Sequence, residues 1–301
     1  MAMDTYQPYA DKKILWEHAP TPRRVGLVLS GGAIRGVAHV GVLEVLEEHN
    51  IPIHRIVGVS AGAIVGGLYA AGVTPAQMRN TVGDMSWSTV TSIERPTLHW
   101  PGRRISPIDP PKGVFRMDKL IEFIHTITDG PVDFSQLKIP FAAVASDVSR
   151  DELIVLNDGD IAEAIRISSS VPGIFSPEYR DGRLLVDGGA VNNMPTQIAR
   201  QMGADYIIAV DLLPPEGTDF TEPQNMMDLM LTSLYSLVRG NQGGNSANVM
   251  IRPEIAHISM ADFSRRDELL EAGRTAAETA IPEILADLRM DAGPEQPSPK
   301  G

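Results

Sequence analysis

An α/β domain with a mainly parallel central sheet flanked by helices is the fold class this sequence predicts. Three observations point to it. Apolar patterning over Val25–Ala71 runs strand, helix, strand, helix, the order that feeds a parallel sheet. Glycine-rich turns, Ser30–Gly36 and Gly58–Gly62, fall at the two strand-to-helix junctions. The 301 residues are 43% apolar, enough to bury a real core.

The elements follow in order. Residues 1–23 read as a polar lead-in without a secretory h-region. Val25–Leu29 reads as a strand, followed by a helix with Val37, Val40, Leu43, Val45 and Leu46 inward and Glu44, Glu47 and Glu48 outward. Ile56–Val59 is a second strand and Ala61–Ala71 a second helix, stopped by Gly72. Ser86–Gly113 carries too many prolines for regular structure and reads as a long irregular loop, of a length that is often functional. Helices are expected at Met117–Thr128, Ile161–Ser169, Pro195–Met202, Met226–Val238 and Glu268–Arg289, the last bent by Pro282. Strands are expected at Phe141–Asp147, Leu153–Leu156, Leu184–Val186 and Tyr206–Asp211. Pro214–Pro223 and Gly240–Asn248 read as loops, and residues 290–301 as a disordered tail. One domain over 24–289 is the expected organisation.

Composition narrows the function classes. A net charge of −12 argues against a nucleic-acid partner. The absence of cysteine excludes a thiol nucleophile, a zinc–thiolate site and a disulfide scaffold. No metal is expected, because no His/carboxylate cluster has ligand spacing, and no cofactor. The uncharged run Ile56–Val73 contains Gly58, Gly62 and Gly66 at the spacing of paired membrane helices. Its five glycines and bare spanning length divide better into strand, turn and helix. The expected location is the cytoplasm, with at most transient contact at a membrane surface.

Gly58-Val59-Ser60-Ala61-Gly62 is the strongest local signal. A G-x-S-x-G between a strand and a helix is the context of a nucleophile elbow, where the tight turn thrusts a serine hydroxyl out of the sheet. The helix N-terminus that follows favours negative charge beside it. A plain strand–helix turn is the bland alternative. Ser30-Gly31-Gly32-Ala33-Ile34-Arg35-Gly36 is the second signal. A P-loop would need Lys-Ser/Thr after the last glycine, where this chain has Val37-Ala38. A dinucleotide fingerprint would need glycine at Ala33 and an acid at the end of the next strand. An oxyanion hole built from backbone N–H groups gains force because the next strand delivers Ser60. Asp187-Gly188-Gly189 is the third signal, although an isolated Asp-Gly is most often only a turn.

Together these motifs resemble those of the patatin-like phospholipases, especially bacterial members, from Val25 to about Leu288. The glycine loop falls on Gly31, Gly32, Arg35 and Gly36, the serine on Ser60 and the aspartate on Asp187. Further matches are Ser168-Ser169-Ser170-Val171-Pro172-Gly173, Asn192-Asn193-Met194-Pro195, Ile251-Arg252-Pro253 and Asp262-Phe263-Ser264. Ala33 stands where the family usually has a third glycine. The resemblance implies a three-layer fold and a Ser60–Asp187 dyad acting on carboxylic esters of lipids. Asp187 would take the Ser60 proton, and the loop N–H groups of Gly31–Gly36, Ala33 included, would hold the oxyanion. Burial would raise the Asp187 pKa toward that of a useful base.

Other readings remain open. Ser60, Asp187 and His257 follow the chain order of an α/β-hydrolase triad, but that fold places several strands before its elbow and here only one precedes Ser60. His39 reads as core packing. The Met226–Val238 helix is either core or an apolar lid. Trp87 and Trp100 either line an entrance or anchor the proline-rich loop. A non-catalytic regulatory protein on the same fold and a dinucleotide-binding oxidoreductase are the rival functions.

Overall fold

Strand β1 (Val25–Leu29) is buried on both faces, so it sits in the middle of a sheet with something on each side. It pairs in parallel with β2 (Arg55–Val59) and with β9 (Tyr206–Val210). The computed structural model describes residues 23–82, 86, 88, 91–93, 113, 115–215, 222–240 and 246–290. The lead-in before residue 23, the tail after 290, Trp87, Trp100 and most of Ser86–Gly113 lie outside the described residues.

Helix α1 (Val37–Glu48) connects β1 to β2, and α2 (Ala61–Ala71) and α3 (Pro75–Val82) follow β2. After a short antiparallel pair, β3 (Ser92–Ile93) with β4 (Phe115–Arg116), comes α4 (Asp118–Ile127). Strand β5 (Phe141–Asp147), fully buried, extends the sheet in parallel beside β2. The chain then reverses into β6 (Glu152–Leu156), helix α5 (Ile161–Ser168), β7 (Glu178–Arg180) and β8 (Arg183–Asp187). Helix α6 (Thr196–Gln201) leads to β9, then α7 (Met226–Gly240), β10 (Val249–Ile251) and α8 (Arg266–Met290). The spatial order is β10-β9-β1-β2-β5-β8-β7, with β6 also on β5. Pairings from β10 to β5 are parallel, and those of β6, β7 and β8 are antiparallel.

Alternation along the strands divides the core in two. Leu27, Leu29, Ile56, Phe141 and Ile208 point into the larger cluster, with α1, α2, α5 and the inner face of α8. Val28, Val57, Val59, Val144 and Ile207 point the other way, against Met194, Ile198 and Ala199 on and before α6. Helix, sheet and helix thus form three layers. Helix α8 lies backbone-close to α1, since a Cβ on Gly273 would stand 2.0 Å from the Ala38 carbonyl oxygen. It runs past Pro282 to Met290.

Several elements were not visible in the sequence. They are α3, β7, β10 and the β3–β4 pair, all short except α3, whose mean polarity hides its period. The run Ile56–Val73 is strand, turn and helix within the core, and no described helix is long and apolar enough to cross a membrane.

Candidate functional site

Ser60 is the single residue between β2 and α2, and it holds φ 53° and ψ −121°. A non-glycine side chain there costs about 1–3 kcal/mol, a cost sustained only where the surroundings enforce it. They do so here through contacts no side chain could enter. A Cβ on Gly58 would lie 2.5 Å from the Gly62 carbonyl oxygen, and one on Gly62 would lie 2.2 Å from the Leu29 carbonyl oxygen. The Ser60 N–H donates to Ser168 Oγ (3.0 Å), and Ser168 Oγ–H donates to the Val144 carbonyl on β5 (2.6 Å).

Asp187 arrives at the same point from β8. Residues Ala143 and Val144 of β5 pair with both β2 and β6, and Ala145–Asp147 pair with both β6 and β8. A strand has only two edges, so β2 and β8 share one of them, end to end. The Asp187 N–H donates to the Ser170 carbonyl (2.9 Å), so the serine triplet 168–170 braces both residues. Ser146 Oγ–H donates to the Gly188 carbonyl (3.0 Å) and fixes the following turn.

The Asp187 carboxyl is fully buried. Its Oδ1 accepts the Gly189 N–H (2.8 Å), while its Oδ2 has no hydrogen-bond partner. Burial pushes its pKa up to about 6, held back by the Ser60 hydroxyl and the Gly189 N–H. A carboxylate balanced near neutral pH, with a serine hydroxyl close to it, can accept a proton.

The glycine loop packs directly on the elbow. A Cβ on Gly36 would stand 2.4 Å from Ala61 Cβ. Not every N–H of the loop is available. Those of Ser30, Gly31, Ile34 and Arg35 donate to Val210 O, Asn193 Oδ1, Met260 O and Gly32 O. Gly32, Ala33 and Gly36 carry the loop's remaining N–H groups. Ala33, at the family's usual glycine position, adopts φ 51°, a left-handed conformation that disfavours its methyl by about 1 kcal/mol.

Arg35 orders this loop from within the core. Its Nε donates to Ile258 O (2.9 Å) and its Nη2 to Ile258 O and Ala256 O (2.6 and 3.1 Å). Burial lowers its pKa to about 10, opposed chiefly by Asp228, so it stays charged at neutral pH. His39 is buried beneath the loop with Nε2 2.9 Å from Ser30 O, and burial pushes its pKa down to about 4. It is therefore neutral and donates to that carbonyl. His257 does not join the site: it is exposed and pairs with Glu268 (2.6 Å).

Two further residues enter the site. Asn193 ties the glycine loop to the Asp187 turn, accepting from Gly31 N–H (3.0 Å) and donating to Gly31 O (3.2 Å). The Asn192-Asn193 match carried that signal. Tyr235 was hidden in the apolar pattern of α7. That helix turns Asp228, Leu231, Tyr235 and Val238 inward and leaves Met226, Leu229 and Leu237 exposed. It is thus core on one face and an apolar surface on the other.

Ser60 opens onto an apolar cleft of ≈ 810 Å³, its open mouth included. Ala33, Val37, Val40, Ile64, Phe175 and Leu231 are among its lining residues. Val40, Ile64 and Val65 also line a second apolar hollow of ≈ 330 Å³ that reaches Leu68, Met78 and Phe123. Among the described residues no group of three or more His, Asp or Glu side chains is placed to hold a metal ion.

A three-layer α/β fold with a strained serine at a strand–helix elbow, a glycine loop beside it and a buried aspartate across from it defines the class. Residues 27–200 match the family model described as patatin-like phospholipase. The chain belongs to the patatin-like phospholipase family. An NTE family protein of Mycobacterium tuberculosis is 35% identical over 189 residues, 63% of this chain and 49% of that protein. Neuropathy target esterase sws of Drosophila melanogaster is 31% identical over 209 residues, covering 67% of this chain and 14% of that protein. The chain therefore spans about half the length of the mycobacterial relative and a small part of the fly one. VipD from Legionella pneumophila, at 14% identity, shares the fold with a TM-score of 0.52 over 87% of this chain and 67% of that one.

Proposed function

We propose that the protein hydrolyses carboxylic esters of lipids, of phospholipase A, lysophospholipase or esterase type, through a Ser60–Asp187 dyad. The observation that carries this reading is the buried Asp187, with one oxygen unpartnered and a pKa near 6, next in register to a strained serine. Ser60 Oγ attacks the ester carbonyl carbon while its proton passes to Asp187. Negative charge collects on the carbonyl oxygen against the loop N–H groups. The intermediate collapses to an acyl-enzyme as Asp187 returns the proton to the departing alkoxide. Water, deprotonated by Asp187, then releases the acid and frees Ser60.

The apolar lining of the cleft supports an acyl chain as the part of the substrate it holds. The exposed stripe Met226, Leu229 and Leu237 on α7 supports transient docking at a lipid surface, close to the cleft wall that Leu231 forms. Neuropathy target esterase, by its name, acts as an esterase, which agrees with this chemistry. Turnover of p-nitrophenyl esters by the wild type, with preference for long acyl chains and loss in Ser60→Ala and Asp187→Asn, tests the proposal. An inert wild type on these esters and on phospholipids would instead favour a regulatory protein on the same fold.

A further inference from the structure

We propose that the Tyr235 hydroxyl is a third donor of the oxyanion hole, acting with the N–H groups of Gly32 and Ala33. This rests on the ester-hydrolase reading of Ser60.

The first argument is the orphaned phenol. Tyr235 is 1% exposed and its hydroxyl has no hydrogen-bond partner. Packing alone would be served by phenylalanine, without burying an unsatisfied polar group at a cost of about 1–3 kcal/mol. Buried polar groups left unpaired in a native protein call for another explanation, and a ligand atom absent from the resting state is one.

The second argument is position. A Cβ on Gly31 would stand 3.0 Å from Tyr235 Oη, and also 3.0 Å from Ser60 Cβ. Only the width of a glycine therefore separates the phenol oxygen from the nucleophile. On the other side, a Cβ on Gly189 would lie 3.7 Å from Tyr235 Cε1 and 3.1 Å from Asp187 Oδ1. The Ala33 N–H and the Ser60 hydroxyl lie near this phenol oxygen without forming a hydrogen bond to it, so loop donor, nucleophile and phenol face one another.

The third argument is protonation. Burial, with the Asp187 charge nearby, pushes the phenol pKa well above its ordinary value. Tyr235 is therefore a neutral O–H donor at every pH at which Asp187 is a base. No proton leaves it: the Ser60 proton goes to Asp187, and Tyr235 only donates a hydrogen bond to the new oxyanion.

The test compares wild type and Tyr235→Phe on an ester and on the matching thionoester, whose sulfur accepts hydrogen bonds poorly. The expected result is a fall in kcat of about 100-fold on the ester, with KM within about twofold and the melting temperature retained. The preference for ester over thionoester should shrink in the variant, and the acid limb of the pH profile should stay in place. A kcat within threefold of wild type overturns the proposal. So does a raised kcat, which would make the hydroxyl a plug of the hole. So does a displaced acid limb with an unchanged thionoester ratio, which would make it a partner of Asp187. Should the Phe variant unfold, fluorotyrosine at position 235 supplies a stronger donor in the same shape, and an unchanged kcat there overturns the proposal. A wild type inert toward all esters overturns the hydrolase reading and this proposal with it, whereas an active wild type matched by Tyr235→Phe overturns this proposal alone.

Discussion

Ser60 and Asp187 are held by consecutive residues on one edge of a single strand: Val59, immediately before Ser60, pairs with Val144, and Asp187 pairs with Ala145. Their juxtaposition is a matter of sheet register rather than of loop packing, and a sheet buried on both faces does not slip. Removing either side chain should therefore leave the fold intact. Ser60→Ala and Asp187→Asn are each expected to lower kcat by at least about a thousandfold, with unchanged circular dichroism.

The proposed role of Asp187 as base predicts a pH dependence. Its carboxyl must be ionised to take the serine proton, so kcat/KM should fall below pH about 6 and level off above it. A pH–rate profile of the wild type checks this.

The same shift carries a stability consequence. The folded pKa of about 6 exceeds the ordinary 3.8, so the fold disfavours the ionised form. Stability contributed by the protonated group is full below 3.8 and lost as pH rises through 6. Asp187→Asn keeps an acceptor for the Gly189 N–H and removes the charge. It is expected to stabilise the protein at pH 8 by about 2–3 kcal/mol, read from urea melts at pH 8 and absent at pH 4.

Much of this was legible in the sequence, for identifiable reasons. The elbow could be read because Gly58 and Gly62 are sterically obligatory, and local obligations leave local signatures. The parallel half of the sheet followed from strand–helix alternation. The antiparallel half was less visible, since β7 has three residues and no period to detect. Tyr235 could not be found, because an aromatic in an apolar helical stripe looks the same whether its hydroxyl is buried near Ser60 or near nothing polar. Nor could the sequence show that Gly31 spends its N–H on Asn193, a partner 162 residues away.

Asn193 gives a prediction of its own. Its buried amide satisfies both backbone groups of Gly31. Asn193→Ala would leave an N–H and a C=O buried and unpaired, at a cost of about 3 kcal/mol. A lower melting temperature and at least about a tenfold loss of kcat are expected, the latter because the glycine loop is freed from the Asp187 turn.

The cleft predicts substrate selection. Ile64 lies at the junction of the two apolar hollows. Ile64→Trp should lower kcat/KM for dodecanoyl and longer esters by about tenfold or more, in line with losing several buried methylenes, and leave butanoyl esters within about twofold. Equal losses at both lengths would show that the acyl chain runs elsewhere.

The central claim is that Ser60 becomes acylated, and intact-mass analysis of the protein quenched during turnover of a p-nitrophenyl ester tests it most directly. The expected result is one acyl group per chain, mapped by peptide digestion to Ser60, accumulating in the wild type and absent from Ser60→Ala. Turnover that persists in Ser60→Ala, or an acyl group mapped to any other residue, would contradict it.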